Sequence, residues 1–512
     1  MIESGSMASG PPTLRLSERD NVLIARADLL PGVAGSPTVV DAVPRGHKFA
    51  RVAIARDEPI LKYGQVIGFA GRDIRAGEHL HTHNVEYREF DRTVAAGSAT
   101  RPTAYVPVPE RATFRGYVRG DGRVGTRNEI VIVVSVNCSA TAATKIATHF
   151  ELAGELDAYP DVDGVVALTH SYGCGTAGRG NAGFDLLQRT IMGYADHPNV
   201  GGVLMLGLGC EVNQLSILRD WGISADKAVD AMTIQEIGGT RRTVEAGIAA
   251  IRAMLPVVDA WKRQEVPVSE LVLAMECGGS DGYSGITANP ALGAAADLLI
   301  EHGGTAVFGE TTEIYGGEHL LTQRAVSQEV ADRLVERVRW WERRVQADGT
   351  SIDDNPSPGN KAGGLTTILE KSLGAIAKGG TTNLCDVVGY ADRVTSKGLV
   401  FMDTPAYDPV NATGLVAGGA QLLAFTTGRG SAFGCKPVPS MKIATNSVTY
   451  HHMLDDMDFN CGPIVEEGVP VRESGRQIFD QLLRIASGER TKSEELGYGD
   501  HEFAPWQIAT TL

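Results

Sequence analysis

The chain has 512 residues, 43% of them hydrophobic and 21% charged, the make-up of a globular protein with room for roughly two to four domains. A formal net charge of −15 works against nucleic-acid binding and against steering an anionic substrate, so such a substrate would need a local cationic pocket. No apolar run reaches membrane-spanning length, and the opening MIESGSMASGPPT lacks the apolar core of a secretory signal. Seven cysteines, an odd number spread over a long chain, argue against a disulfide framework and fit a reducing cytoplasm with thiols free for packing, metal or chemistry.

In chain order, residues 1–13 read as a flexible polar tail. Residues 14–87 read as a small all-β domain: Asn21–Arg26, Lys48–Ile54 and Tyr63–Gly68 are strand-like, with turns between them and no long amphipathic helix. This domain carries Gly46-His47-Lys48 and the run His79-Leu80-His81-Thr82-His83-Asn84. In an extended strand His79, His81 and His83 would share one side, an arrangement suited to a divalent metal; a solvated edge is the plain alternative. Residues 88–115 read as a Gly/Pro linker. Gly116–Glu129 then leads into the first buried strand and places Arg127 within reach of a sheet edge.

A device then recurs. Ile130–Val136 ends at Cys138, Gly164–Leu168 at His170 and Cys174, and Gly202–Leu208 at Cys210. Leu271–Met275 ends at Glu276-Cys277-Gly278-Gly279-Ser280-Asp281-Gly282. One such turn reads as a Gly-rich bend with a free thiol. Four of them, on parallel strands of one sheet, would line a C-terminal edge, where open α/β sheets bind ligands. The fold class expected is α/β, with mainly parallel sheets and flanking helices behind the small N-terminal β domain. Residues 116–265 would form a first α/β domain and 266–490 a second.

Val244–Leu255 is a predicted helix that Pro256 ends or kinks. Asn289 as cap, Pro290 at the first position and Gly303 as stop predict another. Thr305–Phe308 is a strand ending near Glu310 and Glu313, candidates for proton transfer or metal ligation, with helix capping the alternative. Val326–Trp341 is a predicted helix with its tryptophan pair in the core. The loop Asn355–Gly364 presents Lys361 to a carboxylate or phosphate, and it lacks the spacing of a Walker loop. Leu422–Phe425 ends at a glycine turn with Arg429, placed to fork onto a carboxylate. Met441–Ala444 carries Lys442, and residues 491–512 read as a peripheral tail.

These stretches together resemble the altronate/galactarate dehydratase (UxaA/GarD) family. The resemblance is carried by GHK at Gly46–Lys48, YGQVIG at Tyr63–Gly68, GEHLHTHN at Gly77–Asn84 and DGRVGTRNE at Asp121–Glu129. It continues through HSYGCG at His170–Gly175, GLGCE at Gly207–Glu211 and ECGGSDGYSGITANP at Glu276–Pro290. NPSPGNKAGG at Asn355–Gly364, FTTGRG at Phe425–Gly430 and KIATN at Lys442–Asn446 complete it. His81 and His83 look more like the altronate branch. Asn137-Cys138-Ser139, Cys435 and Asp458–Cys461 depart from a typical altronate enzyme. The resemblance implies an N-terminal SAF (β-clip-like) domain and dehydration of a sugar acid, altronate- or galactarate-type, to a 2-keto-3-deoxy acid. It also implies help from Fe(2+) or another divalent cation such as Mn2+ or Mg2+. Related members cleave sulfonate from sulfolactate, and a non-catalytic sugar-acid sensor is the reading from another class.

On these grounds His47, His81, His170 and Glu310 are candidate catalytic residues. Arg127, Lys361, Arg429, Lys442, Ser280 and Asp281 are candidate substrate contacts. His81, His83, Cys138, Cys174, Cys210 and Cys277 are alternative metal ligands, not all at once; an iron–sulfur cluster on the thiols is the less favoured option. The expected partner is a small sugar acid, without nucleic acid or membrane, acted on by a cytoplasmic homo-oligomer, a dimer.

Overall fold

A computed structural model describes residues 12–90 and 95–508. The expected tail at residues 1–11 lies outside them; Thr13, the end of that stretch, is already paired in a strand with Ala25. In the N-terminal domain, Val22–Ala25 runs antiparallel to Thr13–Leu14 and Lys48–Ala50, and His79–Leu80 extends this sheet. Pro59–Lys62, Gln65–Ala70 and Val85–Glu86 form a second antiparallel sheet. The domain is all-β, but its interior is not closed. Ile24, Ile60, Ile67 and Leu80 share one apolar cluster with Tyr283, Ile286 and Leu373 from far along the chain. Burial of that shared surface holds the β domain against the rest of the molecule.

Behind it lie two parallel sheets. The first has the order Gly164–Leu168, Glu129–Val134, Val200–Gly207, Ala228–Thr233. Its middle strands are continuous apolar runs buried at every residue, as a sheet covered on both faces requires. Ile130, Ile132 and Val134 face helices Ala140–Ala153 and Thr240–Asp259. The alternate residues Val131 and Val133 face Ala182–Ala195, which also packs on the second sheet's helix Asp408–Ala417. Pro256 does not end the helix Thr240–Asp259. It lies inside the last turn, and buried Val258 beyond it keeps that turn packed on the sheet.

The second sheet has seven parallel strands. Their order is Leu384–Val388, Gly398–Met402, Thr305–Phe308, Val272–Cys277, Leu422–Thr427, Ser440–Ala444 and Phe459–Asn460. Val272–Cys277 is central, so Cys277, Glu310, Arg429 and Asn446 all follow strands that end along one edge. The expectation of one sheet carrying four cysteine turns is therefore corrected. Cys138, Cys174 and Cys210 follow three adjacent strands of the four-stranded sheet, whereas Cys277 belongs to the seven-stranded one. Identical local patterns cannot reveal which strands pair.

Helix Ala288–Glu301 starts one residue before the expected cap. Thr287 precedes it, and the buried Asn289 amide instead donates to Gly374 O at 2.9 Å and accepts from Thr426 Oγ1. The linker crosses the seven-stranded domain, with Gly97 N–H bonded to Thr322 O and Val106 N–H to Glu301 O. The C-terminal tail is not peripheral. Trp506 stacks on Trp341 with centroids 5.5 Å apart, and Tyr172 Oη donates to Trp506 O at 2.9 Å. Trp340 and Trp341 are half-buried around it. No helix among the described residues is long and apolar enough to cross a membrane.

Candidate active site between the β domain and the seven-stranded sheet

Helix Ile368–Ile376 is buried along its whole length, capped by Thr367, whose side chain accepts from Glu370 N–H. Consecutive helical residues point about 100° apart, so Glu370 and Lys371 reach in different directions. Glu370 faces the β domain. Its Oε2 is 2.7 Å from Lys48 Nζ and its Oε1 2.9 Å from Lys62 Nζ, and Thr366 donates to the same carboxylate. Burial alone would raise this carboxyl; the two lysines override it and hold it down at about 2. Lys371 faces the sheet edge, 2.7 Å from Glu313 Oε1.

Next to Lys48 stands a histidine cluster. His47 Nδ1 is 3.1 Å from His79 Nε2, and the His47 and His81 rings stack with centroids 5.2 Å apart. Burial lowers His47 to about 4 and His79 to about 3, and also lowers His81, so all three are neutral imidazoles at pH 7. His47 Nε2 lies 3.3 Å from Ala362 O, and His81 Nε2 lies 2.8 Å from Lys361 O. A carbonyl only accepts, which assigns the proton of both rings to Nε2 and leaves each Nδ1 with a lone pair. The three histidines of the HxHxH run are not on one strand. The strand stops at Leu80, and Asn84 closes a turn by accepting from His81 N–H and donating to His79 O, both at 2.9 Å. His83 is exposed, with its ring centroid 5.7 Å from that of His79 at the rim of the cluster.

Glycines make the junction possible. A Cβ on Gly282 would lie 2.1 Å from Gly46 O, so backbone crosses backbone here. Asp281 beside it is buried and fully engaged, with Thr445 Oγ1 and Ser284 Oγ at 3.1 Å and Asn446 Nδ2 at 3.3 Å. Ser280 O accepts from Asn360 Nδ2 at 2.8 Å. Arg429 is exposed, its N–H tied to Gly279 O at 2.9 Å, and Lys361 is half-buried. Neither side chain makes a hydrogen bond or ion pair among the described residues.

Beneath the junction, at the ends of Val272–Cys277 and Thr305–Phe308, lies a buried acid–lysine cluster. Lys378 Nζ is 2.8 Å from Glu310 Oε2 and 3.0 Å from Cys277 Sγ. Glu276, Glu310 and Asp408 bring carboxylate oxygens within 4.8 Å of one another, as do Cys277, Glu310 and Glu313 their ligand atoms. Burial and neighbouring carboxylates raise Glu276 and Glu310, and raise Asp408 to about 7. Among the described residues Glu276, Glu310, Glu313 and Asp408 face Lys371 and Lys378, an excess of carboxylates over cations that favours a bound cation or shared protons. Glu310 adopts a left-handed backbone, φ 68°, and its Oε1 is buried without a partner. Strain together with an unsatisfied atom makes Glu310 a candidate functional position.

The other sequence candidates lie elsewhere. All five Arg127 donors are consumed by Glu494, Thr126 O, Ile485 O and Glu489 O, making it a clamp on the C-terminal tail. Lys442 is buried with Nζ on Phe433 O at 2.9 Å. His170 uses both ring nitrogens, on Val134 O and Tyr172 N–H, and burial lowers it to about 4. Cys138, Cys174 and Cys210 are exposed on the four-stranded sheet. The sequence reading named His79 only within the histidine run, and it passed over Glu370, Lys371, Lys378 and Asp408. The signal for three of them was available: ILEKSLGAIAK offers a helix no polar face, so its charges must be buried and paired.

Residues 11–88 match the altronate/galactarate dehydratase SAF domain, 116–259 the D-galactarate dehydratase/altronate hydrolase second domain, and 268–511 the D-galactarate/altronate dehydratase C-terminal domain. The chain is 36% identical to altronate dehydratase of Bacillus subtilis and 35% to that of Escherichia coli, each over 98% of this chain and 99% of the relative. It is 38% identical to galactarate dehydratase (L-threo-forming) of Escherichia coli over 90% of this chain and 89% of the relative. An N-terminal β domain packed on the seven-stranded domain, with the four-stranded domain between them in the chain and matches along almost its whole length, makes this chain a member of the altronate/galactarate dehydratase family and a hydro-lyase.

Proposed function

We propose that the protein removes water from a polyhydroxy carboxylate of the altronate or galactarate type and releases a 2-keto-3-deoxy acid, acting in the cytoplasm on the free acid. The observation that carries this reading is helix Ile368–Ile376, which ties the two clusters together: Glu370 pairs with Lys48 beside the neutral histidines, and Lys371 pairs with Glu313 at the sheet edge. Arg429 and Lys361 hold the substrate carboxylate, the local cationic patch that a chain of net charge −15 needs. Glu310, its carboxyl raised by burial and set beside Lys378, is placed to pass a proton to the departing hydroxyl. Lys378, 2.8 Å away, steadies the carboxylate left behind.

The donors close enough for one divalent cation, within 4.8 Å of one another, are Cys277, Glu310 and Glu313 or Glu276, Glu310 and Asp408; the histidines form no such set among the described residues and would add to it. Burial keeps His47, His79 and His81 neutral, the state a metal requires, and main-chain carbonyls fix two of the rings by their Nε2–H, as metal-binding histidines are usually fixed. When bound, such a cation supplies Lewis-acid stabilisation of the charge that develops next to the substrate carboxylate.

The test is incubation of the protein with altronate, galactarate and sulfolactate plus iron(II), manganese or magnesium. Formation of a 2-keto-3-deoxy acid from one sugar acid is expected. Sulfite release from sulfolactate alone, or tight binding of a sugar acid without turnover, would overturn the reading.

A further inference from the structure

The dehydration reading leaves three thiols unused. Cys138, Cys174 and Cys210 are free and exposed. They follow Glu129–Val134, Gly164–Leu168 and Val200–Gly207, three side-by-side parallel strands whose C-terminal ends share one edge. Their loops are tied together. Asn137 N–H bonds Tyr172 O at 2.9 Å, Asn137 Nδ2 bonds His170 O at 3.1 Å, and Val212 N–H bonds Cys174 O at 3.1 Å. Asn213 Nδ2 holds Ser135 O at 3.0 Å, and the buried Glu211 side chain takes the N–H groups of Leu208 and Gly209.

Three details point to a ligand above this edge. The Gln235 side-chain amide donates to Cys210 Sγ at 3.3 Å, the kind of bond that steadies a thiolate. Thr176 Oγ1, two residues beyond Cys174, is buried without a partner, in a side chain 5% exposed. A Cβ on Gly173 or Gly180 would meet nothing within 4 Å, so this face of the loop is open. The three sulfurs are not among the sets of described residues whose ligand atoms all lie within 4.8 Å of one another, so as placed they do not close around one ion.

We infer that Cys138, Cys174 and Cys210 form the binding site of a [4Fe–4S] cluster, each thiolate holding one iron and the fourth iron left to an oxygen ligand. Exposure lets the thiols lose their protons to iron, and bonds to sulfur and solvent access set the properties of such clusters. Cys277 takes no part. It lies in the other sheet, 2% exposed, with Lys378 and Glu310 for neighbours.

The full chain, produced with ample iron and purified without oxygen, is the sample. About four irons and four acid-labile sulfides per chain, with broad absorption near 400 nm that bleaches on chemical reduction, are expected. Cys138→Ser, Cys174→Ser and Cys210→Ser should each remove most of the sulfide and the absorption, while Cys277→Ser and Cys385→Ser keep both. Circular dichroism of each variant guards against mere unfolding. One iron without sulfide, zinc in place of iron, or an unchanged spectrum in folded Cys174→Ser would overturn the inference. Turnover of a sugar acid by protein lacking sulfide would sink the cluster and leave the dehydratase reading intact.

Discussion

The two parallel sheets end their strands in the same kind of turn, a cysteine among glycines, and give it opposite surroundings. On the four-stranded sheet the thiols face solvent. On the seven-stranded sheet Cys277 is sealed among carboxylates and lysines, and burial pushes its thiol far above the usual range. The difference lies in what covers the edge. Helix Ile368–Ile376, the loop Asn355–Gly364 and the β domain lie over the second sheet; among the described residues the three thiols of the first are exposed. The chemistry of a cysteine turn is thus set by the lid above it rather than by its own residues.

The sharpest way to break this comparison is to disable the covered edge. Glu310→Gln keeps the shape and removes the titrating proton, so kcat should fall by about 10²–10⁴-fold with KM little changed. A full-speed variant would move the proton-handling role elsewhere. Next comes the lid's attachment. Glu370→Gln strands Lys48 and Lys62 as buried charges without a counter-ion, and should cost about 3–5 kcal/mol in a denaturant titration. The same pair fixes a pH effect. The Glu370 carboxyl is held at about 2, below its unfolded value, so its contribution is complete above the ordinary glutamate range and fades as pH falls toward 2. Acid unfolding of Glu370→Gln should lack that slope.

A smaller effect is expected at the rim. Arg429→Met removes a charge-assisted contact of about 1.5–3 kcal/mol, read as a tenfold or greater rise in KM with kcat largely kept. The histidines give a gentler signal. His47 and His170 are held at about 4 and His79 at about 3, below the unfolded value, so the unfolded chain binds more protons as pH drops below about 6.5. Metal-free protein should lose stability progressively between that pH and about 4, and His79→Gln should flatten part of the decline. The least effect belongs to the open edge: Cys138→Ser in metal-free protein should alter stability by less than about 0.5 kcal/mol.

Much of this layout was legible in the sequence. Continuous apolar runs ending in glycine turns identified buried parallel strands, and His47, His81, Lys361, Arg429 and Glu310 fell in or beside the junction. What stayed hidden depends on tertiary partners. Arg127 and Lys442 looked like ligand-binding cations, but one clamps the C-terminal tail and the other caps a carbonyl. His83 looked equivalent to His81, but it is exposed at the rim of the cluster beside His79, while the His81 ring is tied to Lys361 O. Lys371 and Lys378 went unremarked because helical lysines are ordinarily solvated; only the carboxylates opposite them explain why these are not.

The Glu370 bridge has one more consequence. Its carboxylate and its two ammonium groups belong to segments some 300 residues apart, and no covalent link between the halves takes part in it. Severing the backbone inside the stretch 95–112 would therefore leave the interlock of β module and catalytic body unbroken. Two separately made polypeptides, divided there and mixed, should recombine into a working enzyme, with affinity that collapses in strong acid.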